Sequence, residues 1–185
     1  MEEFFAYHVV TDRPMRLGQH IHIGDATIES GMYKRVMSKK DIVDDIYVNP
    51  NKYNISELEH HEKVAIRELA LEEIRKDMFS QYPSRLKCLY VSDTLADAKI
   101  WCDCFVNWGR PTYNIVKLKI NGKKFVGDSY NCFEPSFNKA DNLLMAKKYW
   151  QNDANIYGKT PINEILVNGD IEVVEIVEEI NKNIV

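Results

Sequence analysis

The apolar and polar positions fall into short strand-like runs around one long helical stretch. "FFAYHVV" (4–10) combines aromatic and β-branched residues and reads as a strand. "QHIHIG" (19–24) alternates and ends in glycine, which predicts a short strand or extended edge. Residues 25–54 are mixed, and "NPNKYN" (49–54) marks a turn. "ISELEHHEKVAIRELALEEIRKDMF" (55–79) predicts a helix. Ser56 and Glu59 stand at capping-box spacing, and Leu58, Val64, Leu69 and Leu71 contribute to an apolar stripe. Pro83 closes that region.

"LKCLYVS" (86–92) reads as a strand, and Thr94 is placed to cap a helix over 95–107. "YNIVKLKI" (113–120) alternates well. Asn121-Gly122 then predicts a hairpin into "KKFVG". "KADNLLMAKKYW" (139–150) predicts a helix. "NEILVNGDIEVVEIV" (163–177) reads as two strand runs turning at Asn168-Gly169. Strands at both ends with helices between them indicate an α+β fold rather than a parallel doubly wound sheet.

The length, 185 residues, suits one domain over 1–185 with a substantial core. A net charge of −4 gives no overall basic footprint for nucleic acid. No apolar run reaches the ~18 residues of a spanning helix, and "MEEFFAYHVV" lacks the basic start of a signal peptide. These features predict a cytoplasmic protein with no membrane partner. Cys88, Cys102, Cys104 and Cys132 form no CxxC pair and read as buried free thiols. "HIH" puts His20 and His22 on one strand face, where they could hold a metal. No third ligand is evident, and surface or structural histidines are the preferred reading, so no metal is expected. "HHE" (60–62) is not HExxH and reads as a solvated helix face.

No GxGxxG, P-loop or GxSxG occurs. The residues of interest are separated along the chain. His8 lies within an apolar strand. Tyr90 and Trp101 bracket a strand–turn–helix passage. Glu164 heads the last strand run. Singly, each is more often structural than functional. Together, in the segments "YHVVT", "LYVSDTLADAKIW" and "NEILVNGDIEVVEI", they resemble the ADP-ribosyltransferase superfamily in its histidine–tyrosine–glutamate branch. That branch includes diphtheria-type toxins, poly(ADP-ribose) polymerases and rifamycin ADP-ribosyltransferases. The whole chain also looks like a bacterial family of unknown function placed near that superfamily.

The resemblance implies a split antiparallel β-sandwich with flanking helices, and NAD as co-substrate. Tyr90 and Trp101 would sandwich the flat nicotinamide, His8 would hydrogen-bond a ribose hydroxyl, and Glu164 would face the anomeric carbon. Val9, Thr11, Ser92 and Arg85 would complete the cofactor contacts, with Ser84 beside Arg85 as a further phosphate-binding candidate. Asp128 is an alternative acid, as an acid from a comparable segment of the rifamycin-modifying relatives suggests. Val9 stands where the family commonly has glycine, a position whose backbone clamps the nicotinamide amide; a valine side chain would crowd the ring. The reaction implied is mono-ADP-ribosyl transfer to an acceptor that the sequence does not name: a small molecule, a protein or a nucleic acid. A non-catalytic NAD- or ADP-ribose-binding module on the same fold, and an NAD glycohydrolase, are the alternatives.

Overall fold

The computed structural model describes residues 2–11, 13–24 and 31–180. The elements, in chain order, are β1 (Glu2–Val10), β2 (His20–Ile23), α1 (Gly31–Met37), α2 (Lys40–Val48), α3 (His60–Met78), β3 (Leu89–Val91), α4 (Leu95–Asn107), β4 (Asn114–Asp128), α5 (Lys139–Gln151) and β5 (Asn163–Glu179). The fold is α+β, with a five-stranded antiparallel sheet and flanking helices. Backbone contacts divide the described chain into two compact units. One takes its residues from Met1–Thr27, Cys88–Phe125 and Asn163–Val185; the other from Ile28–Lys87 and Val126–Ile162.

The first unit holds the sheet. Its path is β1-β4-β5-β2, with β3 paired to β5 beside that path. β1 runs antiparallel to β4 from Glu2↔Gly122 to Val10↔Asn114. β5 is long enough to serve two partners: β3 from Leu89↔Val167 to Val91↔Ile165, and β2 from His20↔Glu172 to Ile23↔Gly169. Val9 and Ile115 meet Ala98 and Cys102 of α4 in a buried cluster, flanked by Tyr7, Leu95, Trp101 and Phe105. Thr94 caps α4 as its position predicts, its hydroxyl accepting from the Asp97 amide at 3.1 Å. Burial, with Asp103 and Glu178 nearby, pushes the Cys102 thiol up, so it stays protonated at neutral pH.

Neither Asn-Gly dipeptide makes a hairpin. A type I′ turn needs positive φ at both central residues. Of Asn121, Gly122, Asn168 and Gly169, only Gly169 has it, at +117°. β4 and β5 continue through their dipeptides instead of reversing, with Gly122 paired to Glu2 and Gly169 paired to Ile23. The glycines instead let the two backbones approach closely. A Cβ on Gly122 would lie 1.7 Å from the Asn168 carbonyl oxygen, and one on Gly169 2.6 Å from the Gly122 Cα.

The second unit is helical. Its core joins Val36 of α1, Val43 and Ile46 of α2, Ala65 and Ile66 of α3, and Leu86. Residues 31–48 thus contain two helices that the sequence reading left without structure. Their apolar residues recur at helical spacing, Met32, Tyr33 and Val36 in α1 and Ile42, Val43, Ile46 and Tyr47 in α2, and pack into one core with α3. The long helix begins later than predicted. Ser56 turns its amide and hydroxyl to Asn54 Oδ1 at 3.1 and 2.7 Å, which diverts it from capping. The capping box is formed by Glu59 and Glu62. Glu62, read as part of a solvated face, is buried and also meets Lys39 at 3.3 Å; His60 and His61 are exposed.

Candidate functional site

The candidate site grows from the seam between β1 and β3. Tyr7 and Ser92 exchange backbone hydrogen bonds, both 2.8 Å, in an isolated bridge. The next rung would join Val9 to Tyr90. There the His8 ring intervenes, with Nδ1 2.7 Å from the Tyr90 carbonyl oxygen. A carbonyl only accepts, so Nδ1 carries the proton, and in the neutral ring Nε2 is the acceptor nitrogen. β1 and β3 therefore meet at one rung and are joined by a side chain at the next.

Strand register sets which side chains share a face, because directly paired residues point the same way. Tyr90 lies opposite Leu166, and continuing that register brings Ser92 opposite Glu164. Tyr90, Ser92, Leu166, Glu164 and Tyr7 thus share one face, the one on which α4 packs. Trp101 reaches the same region from α4. Its ring lies 5.9 Å from that of Phe105, and its Nε1 donates to the Asn163 carbonyl at 3.2 Å, next to Glu164. The arrangement brings Tyr90, Trp101 and Glu164 to one side of the sheet. The His8 side chain starts on the opposite face by alternation and reaches Tyr90 through the seam.

The other predicted residues have definite places. Val9 is 6% exposed, and its side chain packs among Ala98, Cys102 and Ile115. Thr11 and Ser92 are buried, the first just past β1 and the second in the bridge to Tyr7. Arg85 and Asp128 belong to the helical unit, where each has buried partners. Arg85 Nε meets Glu68 Oε2 at 2.8 Å, its Nη1 donates to the Tyr149 hydroxyl at 2.6 Å, and its guanidinium lies 4.9 Å from that ring's centre. Glu68 is driven two ways: burial raises its pKa, but the charges and hydrogen bonds of Arg85 and Arg67 outweigh burial and hold it below the usual carboxylate range. Ser84 bonds Glu72 at 2.8 Å. Asp128 accepts from the amides of Tyr130 and Ile162 and from Asn155 Nδ2 at 3.0, 3.2 and 2.6 Å, tying down the segment that leads to β5.

Sequence reasoning missed the Asn163 carbonyl that anchors Trp101. It also missed the buried Glu68–Arg85–Tyr149 network, although a glutamate among the apolar positions of a long helix was a signal. A shallow open depression on the β1–β2 connection is lined by Pro14, Arg16, Leu17, Gly18 and Gln19, none of them a predicted site residue. Among the described residues, no helix is long and apolar enough to cross a membrane. None of the curated proteins compared with the chain matches it. A family model described as "Protein of unknown function (DUF2441)" matches residues 6–179. The chain belongs to the DUF2441 family.

Proposed function

We propose that this protein binds NAD on the α4 face of its sheet, cleaves the nicotinamide–ribose bond and transfers ADP-ribose to an acceptor. The observation that supports the reading is that the register puts Tyr90 and Glu164 on the sheet face where α4 packs, with Trp101 of α4 bonded to the Asn163 carbonyl. The nicotinamide ring is flat and cationic, and stacking on each aromatic contributes about 0.5–1.5 kcal/mol beyond burial. His8 reaches the Tyr90 carbonyl through the seam and would meet the ribose from there. The bond that breaks joins the ring nitrogen to the anomeric carbon, and its electron pair leaves with nicotinamide. The sugar becomes oxocarbenium-like, as in glycoside hydrolysis. Glu164 faces that carbon, and its negative charge gains most in the transition state. An acceptor nucleophile then forms the new bond to the same carbon and loses its proton.

Val9 does not oppose this reading, because its side chain lies in the α4 cluster while its backbone stays on the seam. Calorimetric titration with NAD tests the ring slot. Tyr90→Ala is expected to weaken binding about tenfold, the loss of one stacked ring, while Tyr90→Phe binds as the unaltered protein does. Equal affinity in the alanine variant would refute the slot.

A further inference from the structure

We propose that the solvent face of the β2–β5 ladder binds a late first-row divalent cation such as Zn²⁺ or Ni²⁺, with His20, His22, Asp170 and Glu172 as its donors. His20 pairs with Glu172 and His22 with Asp170. Side chains of directly paired residues share a face, so two imidazoles and two carboxylates occupy the corners of one patch. The ladder adds a second condition. The Val173 amide bonds the Gln19 carbonyl at 3.0 Å, so in the alternating antiparallel pattern the pairs at 20/172 and 22/170 carry no ladder hydrogen bonds. Those are the positions where facing side chains come closest, with Cα atoms ~4.5 Å apart.

The His-X-His spacing alone has only two donors; β5 supplies the rest. The hairpin reading of Asn168-Gly169 concealed this, because it cut β5 where Asp170 begins the second half of the patch. As the side chains stand, they form two pairs. His22 Nδ1 lies 2.6 Å from Asp170 Oδ1, and His20 Nε2 lies 4.0 Å from Glu172 Oε1. No three such donors meet at one point among the described residues. A cation would gather them. The four side chains are 39–77% exposed, so rotation about their own torsions meets little packing. Imidazole nitrogen and carboxylate oxygen at about 2.0–2.2 Å are ordinary zinc ligands, and the two carboxylates balance the ion's charge. The donor set favours Zn²⁺, Ni²⁺ or Cu²⁺ over Mg²⁺ and Ca²⁺. Bound there, the ion joins the four-residue edge strand β2 to β5.

The test is calorimetric titration of the full chain with ZnCl₂, NiCl₂ and MgCl₂, with thermal melts in parallel. One zinc or nickel ion should bind per chain and raise the melting temperature, and magnesium should do neither. Binding should weaken at least tenfold in Glu172→Gln and be lost in His20→Ala/His22→Ala. Because all four positions face solvent, the ion-free variants should melt as the unaltered protein does. Zinc binding that persists in the double histidine variant, assigning it to the thiols or elsewhere, overturns the proposal. So does the absence of zinc and nickel binding.

Discussion

Gly122→Ala is expected to destabilise the protein by about 3 kcal/mol or more, the upper end of overpacking costs. The added methyl would start 1.7 Å from the Asn168 carbonyl oxygen and 2.8 Å from its carbon. That neighbour is backbone, so no rotamer change relieves the clash. The strand cannot slide away cheaply either, because β1 pairs with β4 as far as Glu2↔Gly122 and β2 pairs with β5 as far as Ile23↔Gly169. A chain of this size loses about 2–4 °C of melting temperature per kcal/mol, so a fall of roughly 6–12 °C is expected. Asn121→Ala is the control. Asn121 is exposed and has no positive φ, so its replacement should change stability by under about 0.5 kcal/mol. A type I′ hairpin turn would make both positions sensitive, because each central residue would need positive φ, so a harmless Asn121→Ala separates the two arrangements.

Arg85→Met should cost about 3–5 kcal/mol, the penalty for stripping one partner from a buried ion pair. Glu68 is 1% exposed, and Arg85 holds it with two contacts at 2.8 and 3.2 Å. Arg67 also reaches Glu68, at 3.3 Å, and does not replace the lost charge and geometry. The pH dependence carries a distinct signature. In the unaltered protein the Glu68 pKa is depressed, so its contribution is full above the unfolded carboxylate range, ~4.3, and is lost as pH falls through the lower folded value. In Arg85→Met the main lowering influence is gone and burial pushes the carboxyl up. The gap in urea stability between the two proteins should therefore be widest at neutral pH and shrink in acid. Glu68→Leu/Arg85→Met removes both charges and should recover much of the loss. A single variant as stable as the unaltered protein at neutral pH would contradict the account of this network.

The sequence announced elements where local signals and tertiary context agree. Thr94 caps α4, the 139–150 period marks α5, and the aromatic and β-branched run marks β1. It misled where one dipeptide serves two purposes. Asn-Gly is the strongest short-range hairpin signal, yet glycine is equally what a close backbone approach requires, and no local pattern separates the two. Register was hidden for the same reason, and with it the position of Asp170 and Glu172 opposite the two histidines. Helices α1 and α2 do carry a helical apolar period, as in Ile42, Val43, Ile46 and Tyr47, but at 7 and 9 residues each is too short for that period to stand out. In the candidate site, Tyr90 and Trp101 stood out as aromatics at a strand and the following helix. The bond from His8 to the Tyr90 carbonyl lay beyond reading, because it depends on β1 and β3 meeting at the rung before it.

The proposed activity is tested most directly by incubating the protein with NAD and measuring free nicotinamide over time, beside Glu164→Gln. The account predicts steady release by the unaltered protein, a fall of about a hundredfold or more in the variant, and NAD affinity nearly the same in both. Release that proceeds equally without the Glu164 carboxylate, or a protein that holds NAD and frees no nicotinamide, would contradict it.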